Sequence, residues 1–374
     1  LFQPPPIMSQ ARWVGLTTNL GLESSAGSSY AFGVYSDQLR NITGFSQDEI
    51  QTVASIGNVG LYFAVIAGIV FDKKGPFITI LMGIILSVGG YLAMWGGTQG
   101  YLPNDVTSMS VYAFIWSNGS SWYDTVAISA NIRNFPNDRG RITGLLKSLF
   151  GLSASLITIV FASFFKSPDP VESCQILLFL AVYSGAVGVL GLFTSTLVPP
   201  SKAVKITGFE HTLLTVAMSL LGLLAVYVTV ISVLNNDGET EGEEWPSFVL
   251  LPLIGLQAIL LIPLCRKTGK HKHIPSKDVS ASEQTALIAD EGDGIVEEEK
   301  VTATGSSLIS IVKSINFWLL TLLMLFGTGA GLTVINNIAQ QIKALRGRNA
   351  DQVFHILRSI FNFFFSCIDC SLSL

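Results

Sequence analysis

The sequence predicts an all-α fold, a polytopic transmembrane helical bundle, and three observations lead to that prediction. Of the 374 residues, 49% are hydrophobic and 13% are charged, whereas soluble globular chains carry roughly 25% charged residues. The mean hydropathy is +0.52. The charges are concentrated in short stretches between long apolar runs. With 4 Cys and a net charge of −4, the chain does not fit a nucleic-acid-binding protein, a disordered chain or a disulfide-stapled secreted module.

Nine segments are apolar and long enough to span a bilayer, whose core of about 30 Å takes about 20 helical residues. Backbone groups in lipid have to be hydrogen-bonded within the protein, so spans this long and without alternating polarity fit helices alone. A shorter apolar stretch over 352–367 could begin a tenth span. The nine predicted spans cover residues 12–36, 53–71, 77–97, 106–132, 143–165, 174–197, 211–234, 246–264 and 315–338.

The loops between these spans differ in charge from one side of the membrane to the other. Basic residues accumulate in cytosolic loops, so the more basic set predicts a cytosolic N-terminal segment, residues 1–10. The opposite loops carry Arg40, Lys166 and an acidic run over 237–244. The basic set comprises Lys73, Lys74, Arg133, Arg139, Arg141, Lys202, Lys205, Arg266, Lys267, Lys270, Lys272 and Lys277.

The segment 265–312 is predicted to be a disordered cytosolic linker. It opens basic and turns acidic, with few apolar residues and no helical period, a composition that cannot bury a core. His271 and His273 alternate with lysines, which fits a juxtamembrane basic patch near anionic lipids better than a metal site. Residues 283–288 have the form of an acidic dileucine sorting signal, so an endosomal or vacuolar membrane is expected as an alternative to the plasma membrane.

The start of the sequence suggests a fragment or translated upstream sequence with Met8 as the initiator, and its end suggests a truncated product. The chain starts at Leu1, and its first methionine is Met8. After the ninth span, the basic run over 343–348 would face outward, against the charge rule. A single Cys-Ile-Asp-Cys over 367–370 has no second cysteine pair and is assigned no function.

Three short patterns predict local structure rather than function. Ser46 and Glu49 form a capping box that opens the second span. The sequon at Asn41 lies in an external loop and is usable for glycosylation. The sequon at Asn118 lies within a span and is not.

Four motifs point to a family. Residues 68–75 (GIVFDKKG) have the pattern of the cytosolic loop between helices 2 and 3 of the major facilitator superfamily. Residues 134–153 (NFPNDRGRITGLLKSLFGLS) and 25–36 (SAGSSYAFGVYS) together resemble the nodulin-like family, a branch of that superfamily. Residues 327–337 (GTGAGLTVINN) are similar to the first helix of the family's second half.

This resemblance covers roughly residues 11–340 and implies a domain organisation. We expect a six-helix bundle of the major facilitator type over 11–198, two linker helices over 199–264 and the linker 265–312. Residues 313–374 would then hold the first helix of a second bundle and a tail. Most of a second half would be missing. Because alternating access rocks one half of a transporter against the other around a midplane site, this absence counts against transport by this polypeptide alone.

Residues of these motifs are candidates for a cytosolic gate. Asp72 can pair with a basic group across the bundle and hold one closed state, and Gly75 allows the tight turn after Lys73. Arg139 is expected to organise the gate with acids such as Asp138 or Asp72. Lys147 is expected at the cytosolic end of the fifth span. Gly140 and Gly144, four residues apart, would let the fifth span pack closely on a neighbour.

Two acids, Glu23 and Asp124, are predicted deep inside the bilayer. Each costs about 2.5–3.5 kcal/mol there on insertion scales, so a function is expected for it. An acid that takes up a proton could carry it together with a solute, and Asp124 is preferred over Glu23 for that role. Proximity to an interface, or bonds to neighbouring Ser and Asn, would instead make either acid structural. The polar faces that carry the two acids also contain Asn19, Tyr30, Ser121 and Asn131.

The expected function is that of a secondary transporter of a small organic solute, by alternating access in the full-length form and with protons as a candidate coupling ion. The other hypothesis is a non-transporting membrane scaffold or sensor, or an inactive truncated product. The sequence has neither a phosphate-binding loop nor a dinucleotide-binding turn, and its 4 His leave little for acid-base catalysis. We therefore expect no enzyme activity, cofactor, metal or nucleic-acid partner, and the lipid bilayer as the surroundings.

Overall fold

The computed structural model describes residues 6–165, 167–195, 208–234, 313–315, 317–319, 321 and 322. Within these residues the secondary structure is helical and contains no β-strand, which confirms the all-α prediction. The predicted span 246–264, the linker 265–312 with its sorting signal, and the Cys-Ile-Asp-Cys tail lie outside them. So does most of the predicted span 315–338.

Two units make up the chain: Leu1–Arg266 with Gly331–Leu374, and Lys267–Ala330. The described residues of the second unit form short helical stretches, in which the rings of Phe317 and Trp318 meet edge to face at 5.5 Å.

The described residues of the first unit form a bundle of helices. Its helices are α1 (Pro6–Ala26), α2 (Phe32–Thr43), α3 (Gln47–Tyr62), α4 (Val65–Lys74), α5 (Pro76–Thr98), α6 (Val106–Asn134), α7 (Arg139–Val160), α8 (Pro170–Ser173), α9 (Gln175–Thr194) and α10 (Gly208–Leu234).

Five described stretches are long and apolar enough to cross a membrane, as expected of an integral membrane protein. They are Gln47–Lys74, Pro76–Thr98, Arg139–Phe165, Pro170–Thr194 and Gly208–Tyr227. Helices α1 and α6, at the first and fourth predicted spans, are not among them. Both helices lie inside the bundle: α6 packs on α1, α3 and α5, and α1 also packs on α7 and α9. An interior helix needs less apolar surface, because its neighbours rather than lipid surround it.

Two predicted spans are interrupted. A 3-10 turn over Gly27–Ala31 connects α1 to α2, and the second span breaks at Phe63 and Ala64, between α3 and α4. The backbone turns at Gly75, whose φ of 78° is disfavoured for residues with a Cβ. This residue ends α4 and begins α5, as the sequence predicted.

Side-chain caps fix two other helix starts. Ser46 and Glu49 form the predicted capping box of α3. Asp105 begins α6 by accepting hydrogen bonds from Ser108. These bonds favour the charged carboxylate and hold the pKa of Asp105 below its ordinary value.

Candidate functional site

Three ionisable side chains from three helices meet inside the bundle. Asp124 of α6 forms an ion pair with the ammonium group of Lys147 on α7. Glu23 of α1 interacts electrostatically with both of them. We call Glu23, Asp124 and Lys147 the acid-base cluster. It contains both acids that the sequence placed in the bilayer, and α1, α6 and α7 hold it in place.

The members of the acid-base cluster differ in exposure. Glu23 is fully buried at 0% exposure, and its carboxyl group neighbours that of Asp124. The side chains of Asp124 and Lys147 are 32% and 21% exposed. The ion pair is therefore partly exposed, whereas Glu23 is buried.

Aromatic rings border the cluster. The Lys147 Nζ lies 4.6 Å from the centroid of the Phe150 ring, a cation–π geometry. Tyr30, from the 3-10 turn, meets Phe150 edge to face at 5.2 Å. This turn approaches α7 so closely that a Cβ at Gly27 would collide with Ser153 Oγ and the Phe150 carbonyl. The glycine therefore permits the contact that brings Tyr30 to the cluster.

Three other predicted site residues form hydrogen bonds elsewhere in the bundle. Asn19 accepts a hydrogen bond from Ser195 at 2.5 Å, just beyond the end of α9. Ser121 donates to the Asn118 carbonyl, and Asn131 donates to the Ala127 carbonyl, both within α6. All three are buried. The structure thus brings Glu23, Asp124 and Tyr30 to one place and gives Asn19, Ser121 and Asn131 other hydrogen-bond partners.

Sequence reasoning missed the role of Lys147, which was expected at the cytosolic end of its span. The residue lies 8 positions after Arg139, the first residue of α7, or about 12 Å along a helix that rises 1.5 Å per residue. Asp124 lies 10 positions before the end of α6 at Asn134. Similar depths on consecutive antiparallel helices were the signal that could have paired the two residues.

The candidate gate residues surround a different ion pair. Asp72 accepts from Arg133 at 2.5 Å, with side chains 68% and 47% exposed. The guanidinium of Arg133 also lies 4.9 Å from the Phe71 ring centroid. The partner of Asp72 is thus Arg133 and not the expected Arg139, which is exposed and donates to the Pro136 carbonyl. Lys73, Gly75 and Gly140 lie at the same end of the bundle.

The same end holds the contacts that dock α10 on the bundle. Glu210 of α10 accepts from Trp13 at 3.0 Å and pairs with Arg12 at 3.4 Å. Phe135 packs edge to face on Trp13 at 5.2 Å. Asp138 faces His211 at 3.5 Å. Asp138, expected as a gate partner of Arg139, thus contacts α10.

Comparison with known proteins identifies the family. A family model described as Nodulin-like matches residues 12–267, a range that contains the acid-base cluster and all ten helices except the first turns of α1. The chain belongs to the Nodulin-like family. The family resemblance drawn from the sequence motifs is confirmed.

A curated relative of this Nodulin-like chain is Protein NUCLEAR FUSION DEFECTIVE 4 of Arabidopsis thaliana, 22% identical over 377 aligned residues. The alignment covers 94% of the chain and 62% of the relative, so the chain spans less than two thirds of the relative's length. Family and fold together describe a membrane transporter-like protein of the major facilitator type.

Proposed function

We propose that this Nodulin-like protein is a secondary transporter that couples the movement of a small organic solute to protons by alternating access. One observation carries the proposal. A fully buried carboxyl group, Glu23, lies beside the partly exposed ion pair of Asp124 and Lys147. Intramembrane acids are costly and occur in proton and solute pathways.

Glu23 is the better candidate for carrying the proton, although the sequence alone favoured Asp124. Burial and the neighbouring Asp124 carboxylate both disfavour the anion of Glu23, so we assign a proton to Glu23 in this arrangement. Asp124 instead pairs with the ammonium of Lys147. The polar residues Asn19, Ser121 and Asn131, with Tyr30, are assigned to the walls of the pathway.

The ion pair of Asp72 and Arg133 is proposed to hold the cytosolic gate shut. It links the end of α4 to the end of α6, next to the turn at Gly75. Its side chains are about half exposed, so it is weak enough to open and close. Lys73, Arg139 and Gly140 are assigned to the same gate, which would face the cytosol in the plasma membrane or in an endosomal or vacuolar membrane.

Uptake into vesicles tests this function. The purified protein would be reconstituted into liposomes and offered a panel of radiolabelled amines, amino acids and monocarboxylates, with and without a pH gradient. We expect gradient-driven accumulation of at least one compound, abolished in Glu23→Gln and retained in Asp48→Asn, which removes an exposed acid of α3. Binding of a compound without its accumulation would favour a sensor, and equal uptake by Glu23→Gln would refute the proton role of Glu23.

A further inference from the structure

The number of charges in the acid-base cluster restricts the solute that it can take. Two acids face one base: Glu23 on α1, Asp124 on α6 and Lys147 on α7. Helix α9, which also packs on α1, has no Asp, Glu, Lys or Arg between Gln175 and Thr194. Its Tyr183 hydrogen-bonds Ser24. With a proton on Glu23 the cluster is neutral, and without that proton it carries one negative charge.

Lys147 itself shows what kind of group the exposed part of the cluster accommodates. Its Nζ lies between the Asp124 carboxylate, which accepts its hydrogen bond, and the Phe150 ring at 4.6 Å. A carboxylate beside an aromatic face is the combination that recognises an alkylammonium ion. The chain's own ammonium therefore occupies an ammonium site.

We infer that this site binds a monovalent organic ammonium solute in exchange for the proton of Glu23. The inference rests on the proposed function, since it takes the acid-base cluster as the solute site. Glu23 releases its proton to water and becomes an anion. The Lys147 ammonium turns from Asp124 to Glu23, and the solute ammonium takes its place between Asp124 and Phe150. One positive charge enters and one leaves, so the cluster is neutral before and after.

An anionic solute uses the cluster less well. It would pair with Lys147, and Asp124 would have to be protonated to give up that partner. One acid and one lysine would be enough for that exchange, and the buried Glu23 would have no part in it. In ammonium exchange each of the three side chains has a function, because Glu23 supplies the second partner that Lys147 needs.

Proton release on binding tests the exchange. The full chain in lipid nanodiscs would be titrated with benzylammonium, benzoate and NaCl in a weakly buffered solution that contains a pH-sensitive dye, and binding would be followed by calorimetry. We expect saturable binding of benzylammonium with release of about one proton per cation. If loss of the Glu23 proton favours cation binding, then cation binding must favour loss of that proton to the same extent. We expect no such release with benzoate or NaCl.

Variants separate the roles of the acids. Glu23→Gln should abolish the proton release and weaken benzylammonium binding at least tenfold, because Lys147 then has no second carboxylate. Asp48→Asn should behave as the unmodified protein. If Glu23→Gln does not fold, the number of protons that the unmodified protein releases per bound benzylammonium still tests the inference.

Three results would overturn the inference. One is benzoate binding with proton uptake, which would leave a proton-coupled transporter with an anionic solute. Another is proton release by NaCl but not by benzylammonium, which would indicate an inorganic cation. The third is no saturable binding of benzylammonium. Failure of the proposed function itself would instead appear in the vesicle assay, as no uptake of any compound.

Discussion

The contribution of a charged residue to the stability of a membrane bundle depends on the partner that the fold provides. The sequence placed Asp124 on a polar face of the fourth predicted span and assigned it no basic partner. The structure places the Lys147 ammonium against it. Removing the carboxylate charge therefore leaves the partly buried Lys147 cation beside a neutral Asn. The folded protein is less stable in that arrangement than with the ion pair intact.

The stability of single and double variants tests this coupling. Asp124→Asn should lower the free energy of unfolding by about 1–3 kcal/mol, the cost of leaving a charged donor poorly satisfied. Adding Lys147→Met should recover most of that loss, because it removes the cation. Unfolding in mixed detergent micelles would measure both, with Asp48→Asn as the control. Additive losses in the double variant would contradict the coupling.

Asn118 illustrates a second residue whose role depends on a distant partner. Its side-chain amide donates to the carbonyls of Gly60 at 3.0 Å and Phe63 at 3.1 Å, at the break between α3 and α4, and it accepts from Trp122. Backbone carbonyls at such a break have no water to bond in the bilayer. These contacts also agree with the prediction that its sequon is unusable.

Replacing Asn118 should therefore destabilise the break. Asn118→Ala should lower the free energy of unfolding by about 1–3 kcal/mol, because the carbonyls of Gly60 and Phe63 lose the donor of Asn118. Hydrogen exchange should become faster at Phe63–Gly68 and remain unchanged in α5. Thr52→Ala, which removes an exposed hydroxyl bonded to its own helix, serves as the control. Unchanged exchange at the break in Asn118→Ala would show that the side chain does not hold it.

At the scale of elements, close backbone contacts position the aromatic border of the site. The 3-10 turn packs on α7 through Gly27, where an added Cβ would meet Ser153 and Phe150. In α5, Gly89 has no atom within 4 Å of an added Cβ. The two glycines thus provide a matched pair of substitutions with opposite expectations.

Gly27→Ala should destabilise the protein by about 1–3 kcal/mol, the usual cost of overpacking, and should reduce solute binding by displacing Tyr30. Gly89→Ala should be neutral or stabilising by up to about 1 kcal/mol, because Ala is the better helix former. Thermal unfolding of both variants in nanodiscs would measure the difference. Equal stability of the two would show that the turn can move away from α7 at little cost.

Apolar length predicted most helices but not their interruptions. The expected spans 77–97 and 106–132 correspond to α5 (Pro76–Thr98) and α6 (Val106–Asn134), because the hydrophobic requirement of the bilayer is local in sequence. The break at Phe63 depends on Asn118, 55 residues away. The pairing of Asp124 with Lys147, 23 residues apart, also depends on packing between helices. The hydropathy pattern within a single span therefore predicts neither the contact of Asn118 with Phe63 nor that of Asp124 with Lys147.

At the scale of the whole molecule, the two ends of the bundle differ in charge. One end carries the pair of Asp72 and Arg133, with Lys73 and Lys74 beside it and Arg139 and Arg141 at the start of α7. The turns at the other end carry Arg40 together with acids, among them Asp48, Glu49, Asp105, Asp169 and Glu172. Excess Lys and Arg in short loops keeps an end in the cytosol. The end with Arg133 is therefore predicted to be cytosolic.

Glycosylation acceptor tags test this orientation without a transport assay. In an Asn41→Gln background, which removes the native external sequon, a tag inserted between Gln99 and Asp105, in the turn from α5 to α6, should be glycosylated in cells and should give a mobility shift that endoglycosidase removes. A tag inserted at Asn137, in the turn from α6 to α7, should remain unmodified. Because α6 connects the two turns, exactly one of the tags can be modified if α6 crosses the membrane. Modification at Asn137 alone would reverse the orientation, and modification of both would show that α6 does not cross.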